Sequence, residues 1–240
     1  MRLDRFLSIH GFGSRRTVKK FMRDMKVTVN GETVSVYDTE IKGTDVIEVN
    51  GQLIPNLAYV TILLNKPQDY MCSLVDERYP SVIRLIPEMY QKRVRIVGRL
   101  DADTTGLLLF TDNGLLNSRL ANPRYEIPKT YDVEVNHILK PELVDIFKAG
   151  NLDIGRGEIT SSSILEIKDE NHASITVHEG KYHEIKRLFG KFNYDVIKLK
   201  RVKMGPLTLG DLKEGECHLL TEEEYNNLLD FVHLKREEQL

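Results

Sequence analysis

The strongest chemical signal lies in Gly98-Arg99-Leu100-Asp101-Ala102-Asp103-Thr104-Thr105-Gly106, which runs directly into the apolar Leu107-Leu108-Leu109-Phe110. A polar segment bounded by glycines and set against a buried strand reads as a loop held on a rigid scaffold, where catalytic groups concentrate. The plain alternative is a turn in which Asp101 or Asp103 caps the backbone. Asp-x-Asp-x-Thr is also the spacing of aspartate-nucleophile phosphatases, in which the first Asp attacks phosphorus and Mg2+ screens the charge. Those enzymes place the motif directly after an apolar strand, whereas Gly98-Arg99 separate residues 94–97 from Asp101. Glycosidases need two carboxylates on either side of the scissile bond, and two acids on one loop give no such placement.

Other chemistries find less support. His178 and His183 are five apart, have no neighbouring Cys and lack His-Glu-x-x-His spacing, so no metal is expected. Cys72 and Cys217 make neither a disulfide framework nor a paired-cysteine metal motif. No phosphate-cradling glycine-rich loop is present.

The net charge of −2 hides a basic head and an acidic tail. Residues 1–26 hold eight Arg and Lys against Asp4 and Asp24, a local +6. Residues 211–240 hold three basic against nine acidic residues, a local −6. Arg2, Arg5, Arg15, Arg16, Lys19, Lys20 and Arg23 are therefore the candidate nucleic-acid contacts, with a solvated helix face as the bland alternative. Such residues give salt-sensitive affinity that depends little on base sequence.

The elements that position these residues follow from periodicity. Leu3, Phe6 and Leu7 have helical spacing, stopped by Gly11 and Gly13; Ser14 caps a second helix with Val18, Phe21 and Met22 on its apolar side. Strands are expected at 26–29 and 33–37 around the hairpin turn Asn30-Gly31, and at 45–49 before Asn50-Gly51. After a linker near Pro55-Asn56, short strands (59–64, 107–111, 129–135, 175–178) alternate with helices (113–120, 141–148, 183–192). Thr221-x-x-Glu224 is a capping box opening a last helix with Tyr225, Leu228, Leu229 and Val232 on one face. Without repeating βαβ units, the fold class is α+β with a mainly antiparallel mixed sheet. The 240 residues suit two unequal domains, 1–57 and 58–240, and 41% apolar content supplies a core. No apolar run nears the roughly 20 residues of a bilayer span, and the N-terminus is charged where a secretory signal is apolar, so a cytoplasmic protein is expected.

Gly98–Gly106 with the following Leu107-Leu108-Leu109-Phe110-Thr111-Asp112-Asn113-Gly114 resembles the active-site motif of the RsuA/RluB/RluE/RluF family of bacterial ribosomal RNA pseudouridine synthases. Further motifs follow in order: Leu64-Asn65-Lys66-Pro67, Lys129-Thr130-Tyr131, Glu179-Gly180-Lys181-Tyr182-His183-Glu184-Ile185-Lys186-Arg187, and Gly205-Pro206-Leu207-Thr208-Leu209 with Thr221–Glu224. Arg2-Leu3-Asp4 and Ser14-Arg15 make the first module similar to an S4 RNA-binding domain, a small helix–helix–hairpin unit. Two residues depart from the family pattern: Asp69 stands in place of a usual Gly, and Glu184 in place of a usual Gln.

The resemblance implies an RNA pseudouridine synthase. Asp101 becomes the catalytic carboxylate, attacking ribose or uracil ring or removing a ribose proton. Tyr131 stacks on the flipped base. Lys186 pairs with Asp101 and keeps it ionised. Arg99, Lys66, Thr105 and Ile185 contact substrate. No cofactor is implied. The expected partner is ribosomal RNA or a small-subunit assembly intermediate, met by a monomer away from any membrane. Leu64-Asn65-Lys66-Pro67 and Tyr182-His183 favour the small-subunit branch, hence 16S RNA and a uridine of the uridine-516 type. The competing class is a non-catalytic RNA-binding assembly factor on the same fold.

Overall fold

The computed structural model describes residues 1–54 and 59–235, so the expected domain boundary at 57/58 lies outside the described residues. The first module opens with α1 (Leu3–Ile9), which buries Leu3, Phe6 and Leu7, and α2 (Arg15–Phe21), whose first turn is capped by Ser14 accepting from the Thr17 amide at 3.1 Å. Phe21 departs from the expected apolar face. It is 45% exposed, with the Lys20 ammonium 5.4 Å from its ring.

Two hairpins follow, β1 (Val27–Val29) with β2 (Glu32–Thr33) and β3 (Ile47–Val49) with β4 (Gln52–Ile54), in the order β2-β1-β3-β4. Both turns are Asn-Gly with positive φ at each residue, as a tight two-residue hairpin requires. The second hairpin goes beyond the expected single one. Strand β2 also stops at Thr33, short of the expected 37. The chain leaves the sheet so that the Thr39 and Tyr37 carbonyls accept from the Leu3 and Asp4 amides, satisfying donors that the start of α1 leaves free.

The larger domain is built on β5 (Thr61–Lys66), β6 (Arg95–Val97), β7 (Thr105–Thr111), β8 (Lys129–Val135), β9 (Ile164–Ile167), β10 (His172–Val177), β11 (Val196–Met204), β12 (Leu207–Thr208) and β13 (Cys217–Leu219). Among the described residues these form one sheet, β13-β5-β7-β11-β8-β10-β9, with β6 on β7 and β12 on β11. Only the β7–β11 pair is parallel, so the sheet is mixed and mainly antiparallel. That pair is close: a Cβ on Gly106 would sit 2.2 Å from the Arg201 carbonyl, and φ +100° there suits glycine alone.

The helices are α3 (Glu88–Gln91), α4 (Gly114–Ala121), α5 (Leu143–Ala149), α6 (Glu184–Gly190) and α7 (Glu222–Phe231). One sheet face carries the core of α5 and α6, where Phe147 and Phe189 meet edge to face at 5.3 Å. The other carries Leu116 and Leu120 of α4 and Leu228 and Leu229 of α7. Thr221 and Glu224 form the expected reciprocal cap of α7. The modules touch where buried His10 lies 3.2 Å from Arg93, which pairs with Asp112. No helix among the described residues is long and apolar enough to cross a membrane.

Candidate active site

Residues 98–104 join β6 to β7, and their backbone is held from beneath. Lys66, at the end of β5, is fully buried and donates to the carbonyls of Pro67 (3.0 Å), Ala102 (3.1 Å) and Thr104 (2.9 Å). The Asp69 amide also reaches the Ala102 carbonyl, and the Leu100 amide reaches Cys72 Sγ at 3.2 Å. Burial pulls the Lys66 ammonium below the usual lysine range. The structure thus corrects the placement expected for Lys66: it supports the loop and lies outside the lining of the cleft above it.

That cleft encloses about 770 Å³ and is lined by Asp101, Arg99, Tyr131, Ile185, Lys186 and His183, among others. Alternation along β8 turns Tyr131 inward, 8% exposed, into the core around Leu100 and Leu199. On α6, Lys186 Nζ lies 2.6 Å from Asp103 Oδ1 and 3.4 Å from Asp101 Oδ2, so its shorter contact is to the second acid of the motif. Arg99 is exposed at the lip and Ile185 is buried in the wall. Thr105, like Lys66, lies outside the lining: it pairs with Lys200 at the start of β7, and Thr104 lines the cleft instead.

The sequence gives His183 no role toward Asp101. Its left-handed backbone, φ 49°, turns the chain into α6 and brings Nε2 to 3.3 Å from Asp101 Oδ1. Asp101 therefore lies between an imidazole and an ammonium. Nothing in the spacing of the motif announces this, because the backbone turn creates it. Arg187 binds the Ile154 carbonyl (2.9 Å) and the Tyr182 carbonyl (2.9 Å) and pairs with Glu158. Lys129 donates to the carbonyls of Ile127 (3.0 Å) and Glu179 (2.7 Å); burial, helped by the Arg201 charge, pushes it down to about 8. These two cations fasten the third motif to β8 and to residues 154–158.

Glu184, one of the two family departures, is buried at the start of α6 and accepts from the Lys181 amide at 3.1 Å. Burial, followed by the adjacent Glu179 charge, pushes it up to about 7. Burial also acts upward on Glu179, but the Lys181 ammonium and the Ser161 amide outweigh it and hold that carboxylate below its usual range. A raised folded value means that the stability contributed by protonated Glu184 is complete below its ordinary value of 4.5 and is lost as pH rises through about 7. Glu184→Gln keeps an acceptor for Lys181 and cannot ionise. Its melting temperature is expected to exceed that of the parent by a few degrees at pH 8, with the gap closing toward pH 5; a gap independent of pH overturns the assignment.

The candidate RNA contacts divide into two groups. Asp4 is buried among Arg2 (3.2 Å), Arg15 (3.2 Å) and Lys19 (4.0 Å), and Lys19 also lies 4.5 Å from the Tyr37 ring centre. Burial acts upward on Asp4, but Arg15 and Arg2 hold its carboxyl below the usual range. Arg5, Arg16, Lys20 and Arg23 are exposed and form no ion pair among the described residues. A second cavity, of about 440 Å³, lies beside α7 around Tyr225 and Leu229.

The family model described as RNA pseudouridylate synthase matches residues 60–191, and the S4 domain model matches residues 1–47. The chain is 34% identical over 226 residues to "Ribosomal small subunit pseudouridine synthase A" of Yersinia pestis, covering 93% of this chain and 96% of that protein. It is 33% identical over 231 residues to "Ribosomal large subunit pseudouridine synthase B" of Bacillus subtilis (strain 168), covering 95% of each. A crystal structure titled pseudouridylate synthase superposes with a TM-score of 0.67 at 33% identity, covering 95% of this chain and 99% of that one. The motifs are met in order, the fold is shared and both family models match: the chain belongs to the RNA pseudouridine synthase family, with an S4 domain at its N-terminal end.

Proposed function

We propose that this protein isomerises one uridine of small-subunit ribosomal RNA, of the uridine-516 type, with Asp101 as the catalytic carboxylate. The observation that carries the reading is the meeting of Asp101, Lys186 and His183 in the cleft that also holds the Tyr131 ring. The flipped uracil stacks on Tyr131, replacing the neighbours it leaves. Lys186 places a positive charge 3.4 Å from the Asp101 carboxylate. Asp101 then attacks the ribose or the ring, or takes a ribose proton, while the glycosidic bond moves from ring nitrogen to ring carbon. The rearrangement adds and removes no atoms, so no group carrier or redox partner takes part. The exposed Arg5, Arg16, Lys20 and Arg23 bind phosphates, and the substrate is naked RNA or an assembly intermediate met by a monomer in the cytoplasm.

Relatives named for each ribosomal subunit match at 34% and 33% identity, so the small-subunit choice rests on Leu64-Asn65-Lys66-Pro67 and Tyr182-His183. The test is to map pseudouridines in ribosomal RNA from cells with and without this protein. One site in 16S RNA is expected to disappear. Loss of a 23S site overturns the branch, and an unchanged map with RNA affinity retained replaces the enzyme by an RNA-binding factor.

A further inference from the structure

Tyr182 and Arg156 are not used by the reaction as described. Tyr182 lines the cleft, yet its side chain is 51% exposed. Its ring is stacked on that of His183, with centroids 3.8 Å apart and planes 17° from parallel. His183 in turn touches Asp101. The Arg156 guanidinium lies 4.7 Å from the centre of the Tyr182 ring. Arg156 is carried at the tip of a short turn, with positive φ at Gly155, Arg156 and Gly157. A left-handed arginine between two glycines is a costly conformation. Arg187 maintains it by gripping the Ile154 and Gly155 carbonyls and Glu158 on one side and the Tyr182 carbonyl on the other. One arginine thus fixes both the turn and the aromatic residue that Arg156 overlies.

We infer that Tyr182, with Arg156, is the docking platform for the nucleotide next to the isomerised uridine: the guanidinium that overlies the ring moves onto that nucleotide's phosphate, and the base stacks on the ring in its place, opposite His183. This rests on the reading of the chain as a uridine isomerase and adds a subsite to it. Flipping one base leaves the neighbouring base with a bare face. An aromatic ring that remains half-exposed at the mouth of the cleft, one residue from the side chain that touches Asp101, supplies the missing partner. Stacking tolerates any base, and a guanidinium matches a phosphate, so the subsite fits a single-stranded segment.

The test uses the full chain and an RNA fragment containing the mapped uridine, with 2-aminopurine on either side of it. In the parent and in Tyr182→Phe, 2-aminopurine at one of the two positions is expected to be quenched on binding. In Tyr182→Ala the quench is lost and KM rises about 5- to 100-fold, more than kcat falls. Arg156→Gln weakens binding and lowers the slope of log affinity against log salt by about one. If Tyr182 only props His183, Tyr182→Ala slows turnover with quench and affinity intact, and the platform is overturned. A Tyr182→Phe variant as impaired as Tyr182→Ala overturns it too. Failure of the isomerase reading is read separately, as absence of pseudouridine with the parent protein.

Discussion

Asp101→Asn is expected to abolish pseudouridine formation, with a loss on the order of 10⁴-fold or more in kcat, while RNA affinity stays within about twofold. Asparagine has the shape of aspartate but neither attacks nor accepts a proton. The local fold does not depend on the carboxylate: the loop hangs on Lys66 through main-chain carbonyls, and Lys186 keeps its shorter contact to Asp103. RNA affinity is set mainly by phosphate contacts elsewhere. The measurements are single-nucleotide mapping of pseudouridine after incubation with ribosomal RNA, and a binding isotherm. Turnover retained by Asp101→Asn removes Asp101 from the chemistry.

Lys66→Met carries the second large effect and separates two roles for a buried cation. Methionine fills much of the volume but donates nothing. The carbonyls of Pro67, Ala102 and Thr104 then lose a shared donor in the interior. Each such loss costs about 1–3 kcal/mol, offset in part because a charge no longer has to be desolvated. A net destabilisation of about 2–4 kcal/mol and a melting temperature lower by about 5–15 °C are expected. The Asp101 loop loses its register, and displacement of a reacting group by about 1 Å costs roughly 100-fold in rate. RNA affinity stays within about threefold. The opposite pattern, weakened RNA binding with unchanged melting, restores Lys66 as a substrate contact.

Much of this molecule is legible in one dimension where the physics is local. The Asn30-Gly31 and Asn50-Gly51 turns, the Ser14 cap, the Thr221–Glu224 box and the alternation of Lys129–Val135 each depend on a few adjacent residues, and each is found where the pattern places it. Strand β2 ends early for a non-local reason, the demand of α1 for the Tyr37 and Thr39 carbonyls. Phe21 falls on the apolar side by spacing, yet that part of α2 is left uncovered.

The site divides in the same way. By itself the sequence determined that Asp101 lies on a glycine-bounded loop against a buried strand, that Tyr131 belongs to an alternating strand and that a basic module precedes them, because residue type, period and charge are properties of short segments. Tertiary structure decided what surrounds Asp101. Lys66 and Lys186 are both lysines in motifs that converge on one loop; only their depths distinguish them, and depth sends one to backbone carbonyls and the other to carboxylates. His183 acquires its contact from a left-handed backbone turn. The upward shift of the Glu184 carboxyl comes from its burial, with the Glu179 charge beside it. The contacts to the Asp101 loop depend on distance between segments remote in the chain, and the Glu184 shift on solvent exclusion, neither of which residue order alone encodes.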